Sequence, residues 1–210
     1  FTVMFPMRVT DVKINIESKR LLGTINLEIE QNGISILLGA NGSGKTTLLE
    51  ALHGLRKLSA GKVEWNISNS QAAAEQAFVF QSPIMLRRTV AENLAFPLKV
   101  RRTSKLVATT EAMIWAKKIG LEEKIKQQAV LLSGGEMQAI AVARALITKP
   151  KMLFLDEPTA SLDGATKKAI EDILISASSS GTKILMSTHD LGQAKRLAKD
   201  IIFLHNGIVE

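Results

Sequence analysis

The stretch GANGSGKT, from Gly39 to Thr46, carries the residue types that hold a polyphosphate. Gly39, Gly42 and Gly44 let the backbone curl until its N–H groups, those of Asn41 and Ser43 among them, converge on phosphate oxygens. Lys45 adds a mobile cation for the β and γ phosphates. Thr46, followed by Thr47, offers a hydroxyl to Mg²⁺. A glycine-rich turn with a surface lysine is the blander alternative, and the flanking sequence weighs against it. ISILLG (Ile34–Gly39) is a short apolar run that reads as a buried strand. TTLLEALHGLRKL reads as a helix, with Leu48, Leu49, Leu52 and Leu55 at helical spacing. A phosphate loop needs that strand–loop–helix frame.

Acids come from MLFLDEP (Met152–Pro158), where an apolar strand delivers Asp156 to its C-terminal edge, the place where ligands gather in open α/β sheets. Asp156 can hold Mg²⁺, and Glu157 beside it can take a proton from an attacking water. Alone, two neighbouring acids could be a turn or a helix start; beside a phosphate loop they read as chemistry. Gln81, closing AFVFQ, can ligate Mg²⁺ or orient water. His189, after ILMST, can donate a hydrogen bond to a terminal phosphate. Both sit just beyond apolar strands, on the edge that carries Gly39 and Asp156. His53 and His205 have no such placement and read as structural.

A second candidate cradle is LSGGEMQAIAVARAL (Leu132–Leu146), in which small residues run straight into a helix-forming segment. Helix N-termini bind anions because their first N–H groups are unpaired and the helix dipole is positive there. Taken alone, the SGG could as well be an ordinary helix cap with flexible glycines.

The elements that must position these residues alternate strand and helix, which implies a mostly parallel sheet covered by helices. GKVEWNI, QAFVFQ, KMLFLD and TKILMST read as strands. GATKKAIEDILISAS, with Asp163 as N-cap, and LGQAKRLAKD read as helices, and IIFLHNGIVE as a hairpin turning at Asn206-Gly207. From Ser82 the texture becomes basic and helical. Thr89 and Glu92 match a capping box, Pro97 interrupts, and an amphipathic stretch from about Ser104 to Ile119 stops at Gly120. The expected fold is α/β: a P-loop nucleotide-binding core over residues 1–81 and 131–210, with a small antiparallel β region. Residues 82–130 form an inserted α-helical subdomain leading into LSGGE.

The 210 residues suffice for such a core, and 46% hydrophobic with 22% charged residues is a globular composition. No run approaches the roughly 18 apolar residues of a membrane span. The start reads as lacking a secretory signal, and the end as leaving no room for a regulatory domain. The absence of Cys removes disulfides and thiolate metal sites. The net charge of +7 raises nucleic acid as a partner, but the excess is local: Ser82 to Val130 holds 10 Lys/Arg against 4 Asp/Glu. With only Phe96 and Trp115 for base stacking there, a solvated or membrane-facing basic surface is expected and nucleic acid is not.

The succession GANGSGKT, FQSP, LSGGE, LFLDEP, SLD and STHD resembles the ATPase subunit of ATP-binding cassette (ABC) transporters, from about Val9 to Glu210. The resemblance implies ATP and Mg²⁺ as cofactors, with Thr46, Gln81 and Asp156 around the metal. It makes Glu157 the base, His189 the switch histidine, Gln81 the Q-loop residue and Asp163 the D-loop residue. Two such domains pair head to tail in the family, so Ser133 and Gly135 would meet the γ-phosphate of ATP held by a second chain. Ile16 or its neighbour falls where members stack adenine on an aromatic. Where many members read Gln-Gln-Arg after LSGGE, this chain has Met137-Gln138-Ala139, which puts some local salt bridging in doubt.

Such subunits work at the cytoplasmic face of the cell membrane with transmembrane permease subunits and, in importers, an extracytoplasmic solute-binding protein. FQSPIMLRRTVAENL and the C-terminal segment are most similar to ATPases of tungstate/molybdate-type oxyanion importers; a phosphate importer or an exporter remains open. A soluble cassette protein of ribosome or DNA usually fuses two cassettes or inserts coiled coils, and neither is visible. A small-molecule kinase does not fit LSGGE and STHD.

Overall fold

The computed structural model describes residues 3–17, 19–160 and 162–210; Ser161 of the SLD motif lies outside them. In chain order the elements are β1 (Met7–Ile16), β2 (Lys19–Ile29), β3 (Ile34–Leu38), α1 (Lys45–His53), β4 (Ala60–Glu64) and α2 (Asn69–Ala74). There follow β5 (Gln76–Val79), α3 (Val90–Val100), α4 (Lys105–Lys118), a 3₁₀ turn (Ala129–Leu131) and α5 (Gly134–Leu146). The chain ends with β6 (Met152–Asp156), α6 (Gly164–Ser179), β7 (Lys183–Thr188), α7 (Leu191–Leu197), β8 (Asp200–His205) and β9 (Ile208–Val209).

Six strands form one sheet in the order β5-β6-β7-β3-β8-β9, parallel except for the β8–β9 hairpin. β3, β6 and β7 are buried at every position, as parallel strands covered on both faces must be. Alternate side chains serve two cores. Leu37, Phe154 and Leu185 pack with α1 and a separate antiparallel sheet, β2-β1-β4. Their neighbours Ile36, Leu153, Leu155 and Ile184 pack with α5, α6 and α7. β1 has one wet face, and its burial alternates accordingly. The hairpin turns at Asn206 and Gly207, both at positive φ, as a tight two-residue connection demands.

A third apolar cluster joins α3 and α4 to the far side of α5 through Leu94, Leu98, Ala108, Ala112, Ile140 and Ala143. α5 thus belongs to two cores at once. Two expectations need correction here. Pro97 does not interrupt α3, which runs on to Val100. The proline gives up its own N–H donor, yet its carbonyl still accepts from the Arg101 N–H at 3.2 Å. Nor is α4 amphipathic in the usual sense. It buries the alanine face of Ala108, Ala112 and Ala116, while Leu106, Val107, Met113 and Ile114 remain exposed. Close approach of α3 to α4 selects small side chains at the contact, and the large ones fall outside.

Phe154 anchors β6. It is fully buried, edge-on to His53 at 5.4 Å and stacked with Phe78 at 6.3 Å. Phe154→Ala is expected to cost about 3–5 kcal/mol, read as a lowered midpoint in denaturant unfolding at constant slope.

Candidate functional site

Four neighbouring strands, β5, β6, β7 and β3, point their C-terminal ends at one cleft of about 730 Å³. Each contributes at its end: Gln81 beyond β5, Asp156 and Glu157 at β6, Ser187, Thr188 and His189 at β7, and the glycine loop beyond β3. Strand order alone therefore gathers residues more than 100 positions apart in sequence.

The loop is built to leave donors free. Gly42 and Gly44 adopt φ of 81° and 104°, conformations costly for any residue with a Cβ. At Gly39 a Cβ would lie 2.3 Å from the Leu204 carbonyl oxygen, so the β8 backbone closes on the loop. α1 starts after Gly44 with no side-chain cap, leaving its first N–H groups directed at the cleft as an anion site. Asn41, Gly42, Gly44, Lys45, Thr46 and Thr47 all line the cleft. Ser43 is buried just behind, with its hydroxyl unpartnered.

Lys45 is only 5% exposed. Its ammonium donates to the Gly39 and Ala40 carbonyls at 2.9 and 3.1 Å and pairs with Glu157 Oε1 at 3.1 Å. The other carboxylate oxygen of Glu157 faces His189 Nδ1 at 3.0 Å. Glu157 itself sits at φ 42°, a strained conformation for a side-chain residue. Next to it, Asp156 accepts from Thr46 Oγ1 at 2.7 Å and from Ser187 Oγ at 2.6 Å, while Ser187 Oγ accepts from the Glu157 N–H at 2.9 Å. Ser187 therefore fixes both acids. A polar residue at the head of STHD, in a strand that is buried throughout, is the signal for it.

Thr46, Asp156 and Gln81 offer a hydroxyl, a carboxylate and an amide oxygen, a hard-donor set that fits Mg²⁺ if phosphate oxygens and water complete the shell. No group of three or more His, Cys, Asp or Glu that could hold a metal exists among the described residues.

The second cradle lies apart from this cleft. Ser133 caps α5, accepting from the Glu136 N–H at 3.3 Å while Glu136 Oε2 accepts from the Ser133 N–H at 2.9 Å. Gly135 and Asp163 join Ser133 around a smaller cavity of about 300 Å³. Asp163 caps α6 by accepting from the Ala165 and Thr166 N–H groups, and those bonds hold its carboxyl below the usual range. The capping reading of SGG is therefore right as far as one chain goes. Ile16 is half-exposed at the end of β1, and Leu21 and Leu162 are among the apolar residues lining the cleft. His53 packs between Phe78 and Phe154, where burial pushes its pKa down, and His205 is exposed on β8. Within LSGGE, Glu136 pairs with Lys124 at 2.5 Å, which lowers its pKa.

Residues 22–160 match the family model for the ABC transporter. The chain belongs to the ABC transporter family. It is an ATPase of that family, with the P-loop α/β fold. The chain is 38% identical over 203 residues to the tungstate uptake ATP-binding protein TupC of Peptoclostridium acidaminophilum, covering 96% of this chain and 95% of that one. It is 35% identical to the phosphate import ATP-binding protein PstB of Campylobacter jejuni, over 95% of this chain and 87% of the relative. Against the arginine transport ATP-binding protein ArtP of Haemophilus influenzae it is 36% identical, over 97% and 90%. Among solved structures, cbiO1 of Clostridium perfringens, part of the cbiONQ transporter complex, superposes with TM-score 0.86 at 25% identity, over 99% of this chain and 88% of that one. A dimeric ATP-binding cassette in a post-hydrolysis state with ADP and Pi gives TM-score 0.86 at 27% identity, over 97% and 96%.

In this ABC ATPase, Ser187→Ala would leave one oxygen of buried Asp156 and the Glu157 N–H without their partner. A loss of about 1–3 kcal/mol in stability is expected, with a fall in ATP hydrolysis rate; unfolding curves and steady-state kinetics check the two together.

Proposed function

We propose that this chain is the ATP-hydrolysing subunit of an importer for an oxyanion such as tungstate or molybdate. It works as a head-to-tail pair of identical chains beneath permease subunits at the cytoplasmic face of the cell membrane, served outside by a solute-binding protein. The observation that carries the pairing is the separation of the two phosphate cradles. Lys45, Glu157 and His189 surround one cavity and Ser133, Gly135 and Asp163 another, which supports a nucleotide closed between two chains. The dimeric ADP-bound neighbour supports the same arrangement.

In this reading residues 1–81 and 131–210 form the nucleotide-binding core and 82–130 the inserted helical unit. The loop N–H groups and Lys45 bind the phosphates. Thr46, Asp156 and Gln81 hold Mg²⁺, which neutralises charge on the phosphate oxygens. Phosphate competes with Glu157 for Lys45 and His189. Once released, Glu157 accepts the proton of the water that attacks the γ-phosphorus as the bond to the β–γ bridging oxygen breaks and ADP leaves, and His189 and the partner's Ser133 steady the phosphate oxygens.

A groove of about 520 Å³ between β5 and α3, with Phe80, Ile84 and Phe96 at its exposed apolar rim, suits a helix from a permease. It begins beside Gln81, which links permease contact to the nucleotide cleft. The oxyanion rests on the near full-length likeness to TupC. A phosphate or amino-acid importer is the second reading, favoured by relatives only slightly less similar.

Glu157→Gln is expected to bind MgATP yet accumulate as an ATP-dependent dimer with little turnover, measured by light scattering and phosphate release. Ser133→Arg is expected to abolish that dimer while leaving nucleotide affinity of the single chain within about threefold, less than 1 kcal/mol. Near wild-type turnover in the first, or a large affinity loss in the second, would overturn the assignment.

A further inference from the structure

Behind His189 lies a polar network that no motif announces. Gln193 is 1% exposed, and its Nε2 donates to Thr159 Oγ1 at 2.7 Å and to Glu171 Oε1 at 2.8 Å. Glu171 on α6 is buried too and is held from the other side by Arg196 Nη2 at 2.9 Å. One turn earlier on α6, Lys167 pairs with Asp190 at 2.5 Å, and Asp190 caps α7 by accepting from the Gln193 N–H. That pairing holds the Asp190 carboxyl down at about 2.

These bonds tie three segments that each carry a working group. Thr159 follows Glu157 by two residues. Asp190 and Gln193 follow His189. α6 begins at Asp163, beside Ser133 and Gly135. α7 is only seven residues long, with Ala194 and Leu197 buried in the core. Its first turn, the one next to His189, is therefore held to α6 by hydrogen bonds and charge.

We propose that Gln193 and Glu171 are positioning residues for ATP hydrolysis. They fix the His189 segment against the Glu157–Thr159 segment, and α6 carries that alignment to the cradle used by the second chain. Gln193 lies in the wall of the cleft but spends both amide protons on Thr159 and Glu171, and Glu171 is enclosed by Gln193 and Arg196. Their effect is geometric, and a displacement of about 1 Å at reacting groups is enough to cost on the order of a hundredfold in rate. The inference rests on the reading that Glu157 and His189 act on bound ATP.

Gln193→Leu keeps the volume and removes the donor. Glu171→Gln/Gln193→Glu exchanges the two groups and keeps a donor–acceptor pair with Arg196 alongside. In the full chain, kcat for MgATP hydrolysis should fall about 10- to 100-fold in Gln193→Leu, with KM within about twofold. The exchanged double variant should recover to within about threefold of wild type. Unfolding midpoints of all three proteins separate positioning from packing. If Gln193→Leu keeps wild-type kcat, or the exchange restores stability without restoring kcat, the inference fails. A wild-type chain whose hydrolysis is indifferent to Glu157→Gln would instead fail the functional reading beneath it.

Discussion

The ion pair between Lys45 and Glu157 is the contact on which the rest of this structure turns. Both groups are nearly removed from water, and a buried charge is tolerable only when it is paired and hydrogen-bonded. Each has its remaining bonds: Lys45 on two loop carbonyls, Glu157 on His189. The pair spans β7, because β3 and β6 are not neighbours in the sheet. The span is possible only because three all-buried parallel strands end level with one another. Ser187, on the intervening strand, then bonds both acids from the middle. The arrangement is self-neutralising without nucleotide, and a polyanion entering the cleft must compete for the same cation.

That competition gives the apparent redundancy of two cradles a physical meaning. The first is closed over its own lysine and acid. The second is closed over Glu136, through the capping box at Ser133. The lysine and acid of the first and the cap of the second are internally paired, and each would become a phosphate site by exchanging that partner for an external one. They face different cavities, and the elements between them are shared. α5 packs into both the sheet core and the helical cluster, and α6 runs from the Asp163 cap to the bonds that hold the His189 segment.

Much of this was legible in the sequence because it is local. The glycine loop, the acidic strand end, the caps at Thr89, Ser133 and Asp163 and the turn at Asn206-Gly207 are written in spacing and residue type, and the structure places each as an element where spacing put it. What escaped depends on tertiary neighbours. Ser187 and Gln193 are single polar residues whose meaning lies in partners 31 and 22 positions away. The exposed side chains of α4 could not be foreseen from an apolar pattern that fits either face.

The central claim is that the two cradles belong to one site only when two chains meet. The chain contains no cysteine, so a pair introduced by mutation reports without background. The most direct measurement is oxidative cross-linking of Asn41→Cys/Ser133→Cys, with and without ATP, followed on non-reducing gels. A disulfide requires Cα atoms within about 7 Å. The account predicts an ATP-dependent dimer from the double variant and none from either single variant. A monomeric product in ATP, or a single variant that cross-links as readily as the double, would contradict it.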